Sequence, residues 1–238
     1  NWRPISLINT DAKVFTRLIN VCLMPYFTKC ISSSQLGFMP GRFIADHGLT
    51  VNSIKMIAHH HRFSSIGLLL DQEKAYDRIH PIYLRHVLNA FNVPASISHC
   101  IISLFFSTGV QVNVNGHITS TPIPQLRGLR QGDPLSPLLF NIAFDPFVRS
   151  ICQNGAFKGF HLPTEIVSPP PSSDDVLDDL ATLFENTHIT SSVDDHDVNL
   201  SRNLPLPADN RVAILAYADD TLVFLRDQHD FHLLQKAI

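Results

Sequence analysis

The chain has 238 residues, of which 45% are apolar and 16% charged, and its formal net charge is −3. That is enough apolar material for one large domain with a substantial core, and it excludes a chain dominated by disorder. Four cysteines (Cys22, Cys30, Cys100, Cys152) form no CxxC pair, which argues against a disulfide scaffold and a zinc knuckle and favours cytosolic or nuclear chemistry.

Apolar residues at helical spacing, Val14, Leu18, Ile19 and Leu23, predict a helix from Thr10 to about Phe27. Leu49, Ile54 and Ile57 predict a second from Ile44 to His60. The short apolar run Ser65–Leu70 reads as a buried strand that stops at Asp71. Helices follow at Pro81–Phe91 and Ala95–Phe106. Gln111–Asn115 alternates like a strand, Gly116 supplies a turn, and Ile118–Pro122 returns as its partner. Asp133-Pro134 combines an Asx cap with proline at a first helical position, and the helix it opens runs on through Leu138–Val148. Val212–Tyr217 reads as a strand, Asp219-Asp220 as a tight turn, and Thr221–Leu225 as the return strand. Helices and strands mix without a regular βαβ rhythm, so the fold class is α+β.

The charge is unevenly spread. Residues 160–210 hold ten acidic residues against the single Arg202, a net −9. The remaining 17 basic and 11 acidic residues leave +6 elsewhere. The body is therefore mildly basic, which suits a phosphate-backbone partner or is simply ordinary for its size. The acidic stretch opens on Pro169-Pro-Pro-Ser-Ser173 and is expected to be a long, largely disordered loop with one short helix at Val176–Phe184. No run of eighteen uncharged apolar residues occurs, so no membrane partner is expected. The start at Asn1-Trp2-Arg3 lacks a signal-peptide layout, and the chain reads as a piece of a larger protein.

Two carboxylate sites, far apart in sequence, each end an apolar strand. Asp71 follows Leu68-Leu-Leu70, and Asp219-Asp220 follows Leu215-Ala-Tyr-Ala218. If the strands are neighbours, the carboxylates converge, and such a cluster is repulsive without cations. Hard oxygen donors suit Mg²⁺, and two such ions can activate a hydroxyl and stabilise a leaving phosphate oxygen. The plain alternative is that an Asp-Asp pair merely forms a turn. Gly128-Leu-Arg-Gln-Gly-Asp-Pro-Leu-Ser-Pro137 brings two glycines and Arg130 to one bend, close to a ligand or simply as a helix entry. Competing chemistry is missing. There is no Gly-x-Ser-x-Gly elbow and no phosphate-binding Gly-x-x-x-x-Gly-Lys-Ser/Thr, and three adjacent histidines at 59–61 cannot all face one ion on a helix.

Together these residues resemble the reverse transcriptase domain of non-LTR (LINE-type) retrotransposons, related to group II intron enzymes. The resemblance rests on five blocks in order: Asn1-Trp-Arg-Pro-Ile-Ser-Leu7, Gln35-Leu-Gly-Phe-Met-Pro-Gly-Arg42, Leu70-Asp-Gln-Glu-Lys-Ala-Tyr-Asp77, Arg130-Gln-Gly-Asp-Pro-Leu-Ser-Pro137 and Tyr217-Ala-Asp-Asp220. It covers residues 1–159 and 211–225 and leaves the acidic stretch unexplained.

The resemblance implies a right-hand polymerase. Residues 1–63 would be partial fingers and 64–159 the first part of the palm. Residues 160–210 would be the insert, 211–238 would carry the catalytic hairpin, and the thumb would be missing. Asp71, Asp219 and Asp220 would be the catalytic carboxylates and, with the carbonyl of Gln72, would hold two Mg²⁺ ions. Arg3, Gln72, Tyr76, Gln131 and Gly132 would bind the incoming nucleotide, with the Tyr76 ring excluding a 2′-hydroxyl. Gly37, Gly41 and Arg42 would line the template path. The partners implied are an RNA template, a DNA primer, a dNTP and the rest of a parent polyprotein with its endonuclease and thumb, acting in the nucleus. The reaction implied is RNA-directed DNA synthesis. The alternative is a catalytically inactive nucleic-acid-binding relic.

Overall fold

The computed structural model describes residues 5–163 and 210–238. Its contacts divide the chain into one unit of Asn1–His161 with Arg211–Ile238 and a second of Leu162–Asn210. Every element below belongs to the first. Of the insert expected over 160–210, residues 164–209 with the helix expected at 176–184 lie outside the described residues, as does Arg3. The expected start of the insert is corrected by Phe160–His161, which form a strand with Phe160 buried.

In chain order the elements are α1 (Thr10–Cys30), α2 (Ile44–His61), β1 (Ile66–Leu70), a 3-10 turn (Ala75–Arg78), α3 (Pro81–Ala90), α4 (Ala95–Phe106), β2 (Gly109–Val110), β3 (Asn113–Val114), β4 (His117–Ile118), β5 (Ile123–Pro124), α5 (Ser136–Cys152), β6 (Phe160–His161), β7 (Arg211–Val212), β8 (Ile214–Tyr217), β9 (Asp220–Leu225) and α6 (Gln228–Ala237). The mixture of helix and strand matches the α+β expectation. The central sheet has the order β1-β9-β8, all antiparallel.

Helix α5 is the middle of the molecule. Ten of its 17 residues are buried, because it faces two cores. Leu138, Leu139, Phe140, Ile142 and Ala143 join residues of α1, α3 and α4. Val148 and Ile151 join Ile214, Ala216, Val223, Leu225 and Leu234 under the sheet. Each such buried large side chain contributes about 1.5–3 kcal/mol by leaving water. The inner face of β9 follows from this, while Phe224 on the other face is buried as well. Thr221, Val223 and Leu225 are buried, whereas Asp220 is exposed.

Five expectations need adjustment. Strand β1, expected to be buried, is an edge strand among the described residues, with Ile66 and Leu69 exposed. The hairpin expected over 111–122 shrinks to the two-residue pairs β3–β4 and β2–β5. Val110, Val112, Val114, Ile118 and Ile123 are all exposed there, so no buried face extends the ladder. Helix α5 starts at Ser136 rather than at Asp133. The Asp133 carboxylate accepts from the Leu135 N–H (3.0 Å) and forms an Asx turn ahead of the helix. The strand expected at Val212–Tyr217 breaks at Ala213, where the chain leaves β6 as partner and takes up β9. Helix α6 was not anticipated. Its signals are an Asp227 cap, which accepts from the Asp230 N–H at 3.0 Å, and the apolar pair Phe231 and Leu234 one turn apart.

Asp230 fixes α6 to the body. Its fully buried carboxylate accepts from the backbone N–H groups of Lys158 (2.7 Å), Arg226 (2.9 Å) and Gly159 (3.0 Å). At the start of the same helix, Lys158 pairs with Asp227 at 2.5 Å and, by hydrogen bonding first, holds that carboxyl below its ordinary range. Asp230→Asn turns an NH₂ toward donors that need an acceptor. We expect it to cost about 1–3 kcal/mol in urea unfolding, with the far-UV spectrum of the native state retained.

Candidate active site

Strand β1 pairs with β9 from Ile66↔Leu225 to Leu70↔Thr221. One residue beyond that last pair stand Asp71 on one strand and Asp220 on the other. The β8–β9 hairpin closes with Tyr217↔Asp220, which leaves Ala218-Asp219 as a two-residue link. The two sequence-distant carboxylate sites are thus brought to one end of one sheet.

Asp71, Gln72 and Asp219 border a cavity of about 610 Å³ whose apolar walls include Leu70, Phe140 and Phe144. Asp71 is exposed and Asp219 half-buried. Asp220 is exposed and does not border the cavity. Among the described residues no ion pair engages Asp71 or Asp219. The arginine at the cavity, Arg78, is already paired with Glu73 at 2.7 Å. The donor set therefore suits a hard cation: two carboxylates, with the carbonyl-bearing Gln72 between strand and turn. Among the described residues no three carboxylate, histidine or cysteine side chains converge closely enough to hold a metal alone. Any ion here would complete its shell with water or substrate oxygens, as Mg²⁺ ordinarily does.

Tyr76 does not border this cavity; it sits on the 3-10 turn after β1 and stacks on Phe140, centroids 4.7 Å apart and planes 9° apart. Phe140 in turn stacks on Phe144 at 5.6 Å. The Tyr76 carbonyl accepts from the Leu129 N–H at 2.8 Å. Burial, and secondarily the charge of Asp219, push the Tyr76 phenol well above its ordinary pKa, so it stays protonated. The chain that braces it passes very close. A Cβ on Gly128, at φ +89°, would lie 2.9 Å from the Asp77 carbonyl oxygen, so only glycine fits there.

Other residues expected at the site lie elsewhere. The Gln131 carbonyl accepts from the Ser6 N–H at 3.1 Å, and Gly132 also lies against Ser6. Neither borders the Asp71–Asp219 cavity. Arg130 is turned inward, onto the Leu104 carbonyl, Thr108 and Gln125, above the Phe105 ring. Arg42 donates to four carbonyls, those of Ser32 (2.5 Å), Gln35 (2.6 Å), Ile31 (3.0 Å) and Thr28 (3.1 Å). Its guanidinium is spent inside the protein, and desolvation, partly offset by Asp145, lowers its pKa. Gly37 packs against Ala218, while Gly41 has open space around its Cα. Sequence reasoning passed over Gln35, which lies at the centre of this packing.

The profile of the reverse transcriptase (RNA-dependent DNA polymerase) family matches residues 1–163. The chain belongs to the reverse transcriptase family. Among curated proteins it is 34% identical over 148 residues to an uncharacterized 149 kDa protein of transposon TX1 from Xenopus laevis, covering 62% of this chain and 11% of that protein. It is 29% identical over 153 residues to a Pol polyprotein of the type-2 retrotransposable element R2DM from Drosophila melanogaster, covering 63% of this chain and 14% of that protein. To the RNA-directed DNA polymerase from the mobile element jockey of the same fly it is 28% identical over 145 residues, covering 60% of this chain and 16% of that protein. The chain thus matches less than a fifth of the length of each of these relatives. An apo telomerase structure from Candida tropicalis overlaps 96% of this chain and 36% of its own, at 12% identity and a TM-score of 0.47.

If this reverse transcriptase chain holds a divalent ion between Asp71 and Asp219, then Asp71→Asn and Asp219→Asn should each weaken Mn²⁺ binding by about tenfold or more, read from the free-ion EPR signal. Asp220→Asn, outside the cavity, should weaken it less.

Proposed function

We propose that this chain carries the nucleotidyl-transfer centre of an RNA-directed DNA polymerase from a non-LTR retrotransposon. The reaction extends a DNA primer on an RNA template with dNTPs. The observation that carries this reading is the meeting of Asp71 and Asp219 at one cavity with no protein cation bonded to either among the described residues. A turn-forming Asp-Asp pair alone gives no reason for Asp71, on another strand, to join them.

Phosphoryl transfer asks a protein chiefly for positioning and for charge placed where negative charge develops. Two divalent ions of the Mg²⁺ type, when bound, supply the acidity that activates a 3′-hydroxyl and the charge that stabilises departing pyrophosphate. Asp71 and Asp219 offer the hard oxygens for them, the Gln72 carbonyl adds a neutral one, and Asp220 stands behind on the hairpin. In this reading Arg3, Gln131 and Gly132 serve the triphosphate and the template side. Residues before 64 act as fingers, and the sheet of β1, β8 and β9 acts as the palm. Product-duplex holding falls to the rest of the parent polyprotein, and the work is done in the nucleus.

Tyr76 has the properties of a selectivity wall. Its ring is held flat by Phe140, its backbone is tied to Leu129, and its hydroxyl stays neutral beside Asp219. A rigid ring under the sugar leaves no room for a 2′-hydroxyl.

Primer extension on a primed RNA template, with dNTPs and Mg²⁺, tests the reading. We expect at least single-nucleotide addition by the wild-type chain and loss of more than about a thousandfold in Asp219→Asn. Addition by Asp219→Asn at the wild-type rate, or Mg²⁺-independent RNA binding without addition by a cooperatively melting wild type, would favour a non-catalytic relic. In the same assay Tyr76→Ala should narrow the preference for dNTP over rNTP by about ten- to a hundredfold while leaving dNTP addition measurable.

A further inference from the structure

The turn that carries Asp219 is strained. In a two-residue hairpin link whose first residue has positive φ, glycine is the usual occupant. Here that residue is Ala218, at φ +54°. A side chain in this region is disfavoured and persists only where the surroundings over-determine it.

The surroundings do so through one buried amide. Gln35 is 1% exposed. Its Nε2 donates to the Ala218 carbonyl (3.1 Å), and its Oε1 accepts from the Ala218 N–H (2.8 Å) and from the Gly37 N–H (2.9 Å). Two converging N–H donors fix which end of the amide is oxygen. Both polar groups of the Ala218 residue are therefore held by a single side chain. The flanking backbone repeats the attachment, with the Leu36 N–H on the Ala216 carbonyl (2.9 Å) and the Ala216 N–H on the Ser34 carbonyl (2.8 Å). A Cβ on Gly37 would lie 2.3 Å from the Ala218 nitrogen, so the loop can approach this closely only with glycine.

The loop is itself held from two sides. Asn141 of α5 donates to the Gly37 carbonyl at 2.6 Å, and Arg42 grips the Gln35 carbonyl together with three others. A continuous set of bonds thus runs from Arg42 through Gln35 to Ala218, the residue before Asp219.

We propose that Gln35 is a positioning residue for cation binding by Asp219. Its side-chain amide keeps Ala218 in the left-handed conformation that aims the Asp219 carboxylate at the cavity. The proposal rests on the polymerase reading for its consequence, but the clamp itself is a property of the fold. In this arrangement Gln35, Gly37 and Arg42 act on the site through the backbone rather than by touching template.

The test uses the whole 238-residue chain and the variants Gln35→Met, Ala218→Gly and the two combined. Methionine keeps an unbranched side chain of similar length and removes all three bonds. Backbone hydrogen exchange over 214–222 should quicken at least about tenfold in Gln35→Met. Mn²⁺ affinity, read by EPR, should fall by about tenfold, and Ala218→Gly should recover at least half of that loss, because glycine needs no help to hold positive φ. Unchanged exchange and affinity in a cooperatively melting Gln35→Met overturn the proposal. So does a loss that Ala218→Gly does not relieve, which marks Gln35 as ordinary packing. If Gln35→Met does not melt cooperatively, Gln35→Glu replaces it. That variant keeps the acceptor for the Ala218 and Gly37 N–H groups and loses the donor to the Ala218 carbonyl, so the same quickening and the same rescue are required of it. Absence of Mn²⁺ binding by the wild-type chain defeats the metal-binding role of both Asp219 and Gln35. Faster exchange in Gln35→Met would then show the clamp surviving as a fold element alone.

Discussion

Five residue pairs join β1 to β9, and the register of that ladder decides where every charged group of the site can stand. Because Leu70 opposes Thr221, the next residues out are acidic on both strands, and Asp219 lies one further along the hairpin link. A slip of one residue would exchange the buried Thr221, Val223 and Leu225 for the other face of β9 and carry the carboxylates with them. The core under the sheet therefore specifies the site. Val223 and Leu225 pack with Ile214, Ala216 and the α5 residues Val148 and Ile151, and that packing holds the register against the repulsion of the acidic end.

Helix α5 extends the same control to the rest of the cavity. Phe140 provides the plane on which Tyr76 lies, and Asn141, the next residue, holds the loop that holds Ala218. One turn on, the fully buried Asp145 accepts from the Ser32 N–H at 2.7 Å and pairs with Arg149, which also reaches the Cys30 carbonyl. Tyr83 of α3 donates to the Ala143 carbonyl at 2.8 Å. The ring, the clamp loop and the end of α1 are all referenced to one rigid element.

Most of the regular structure was legible from periodicity. The bounds of α1, α2, α3 and α4 fall within about three residues of those expected, since each has a clear apolar spacing and, at α3, a His80-Pro81 start. The pairing of the two carboxylate-bearing strands could be posed from sequence as a condition, and it is met. What periodicity could not convey is where single side chains bond to distant backbone. Arg42 was expected on the template path and Arg130 at a bend near a ligand, yet both are directed at carbonyls. Gln35 opens one of the five blocks of the resemblance but has no charge or periodicity that assigns it a role. Its signal was the neighbouring Gly37, whose missing side chain marks a close approach, combined with the absence of glycine in the Tyr217-Ala-Asp-Asp220 turn. A turn that lacks glycine where its geometry wants one must be held from outside.

The placement of charge then follows a division of labour. Arg42, Arg130, Arg149 and Arg211 satisfy carbonyls and, in the case of Arg149, the Asp145 carboxylate inside the body. The groups that reach toward the Asp219 turn are neutral amides, Gln35 directly and Asn141 through Gly37. A lysine or arginine in the place of Gln35 could donate to the Ala218 carbonyl, but it has no acceptor for the Ala218 and Gly37 N–H groups and would bring a positive charge to the Asp219 turn. An amide fixes position and leaves the charge unspent. The Tyr76 phenol, kept protonated by burial and secondarily by Asp219, adds no charge of its own there. The turn asks one side chain for both a donor and an acceptor, and a neutral amide supplies both.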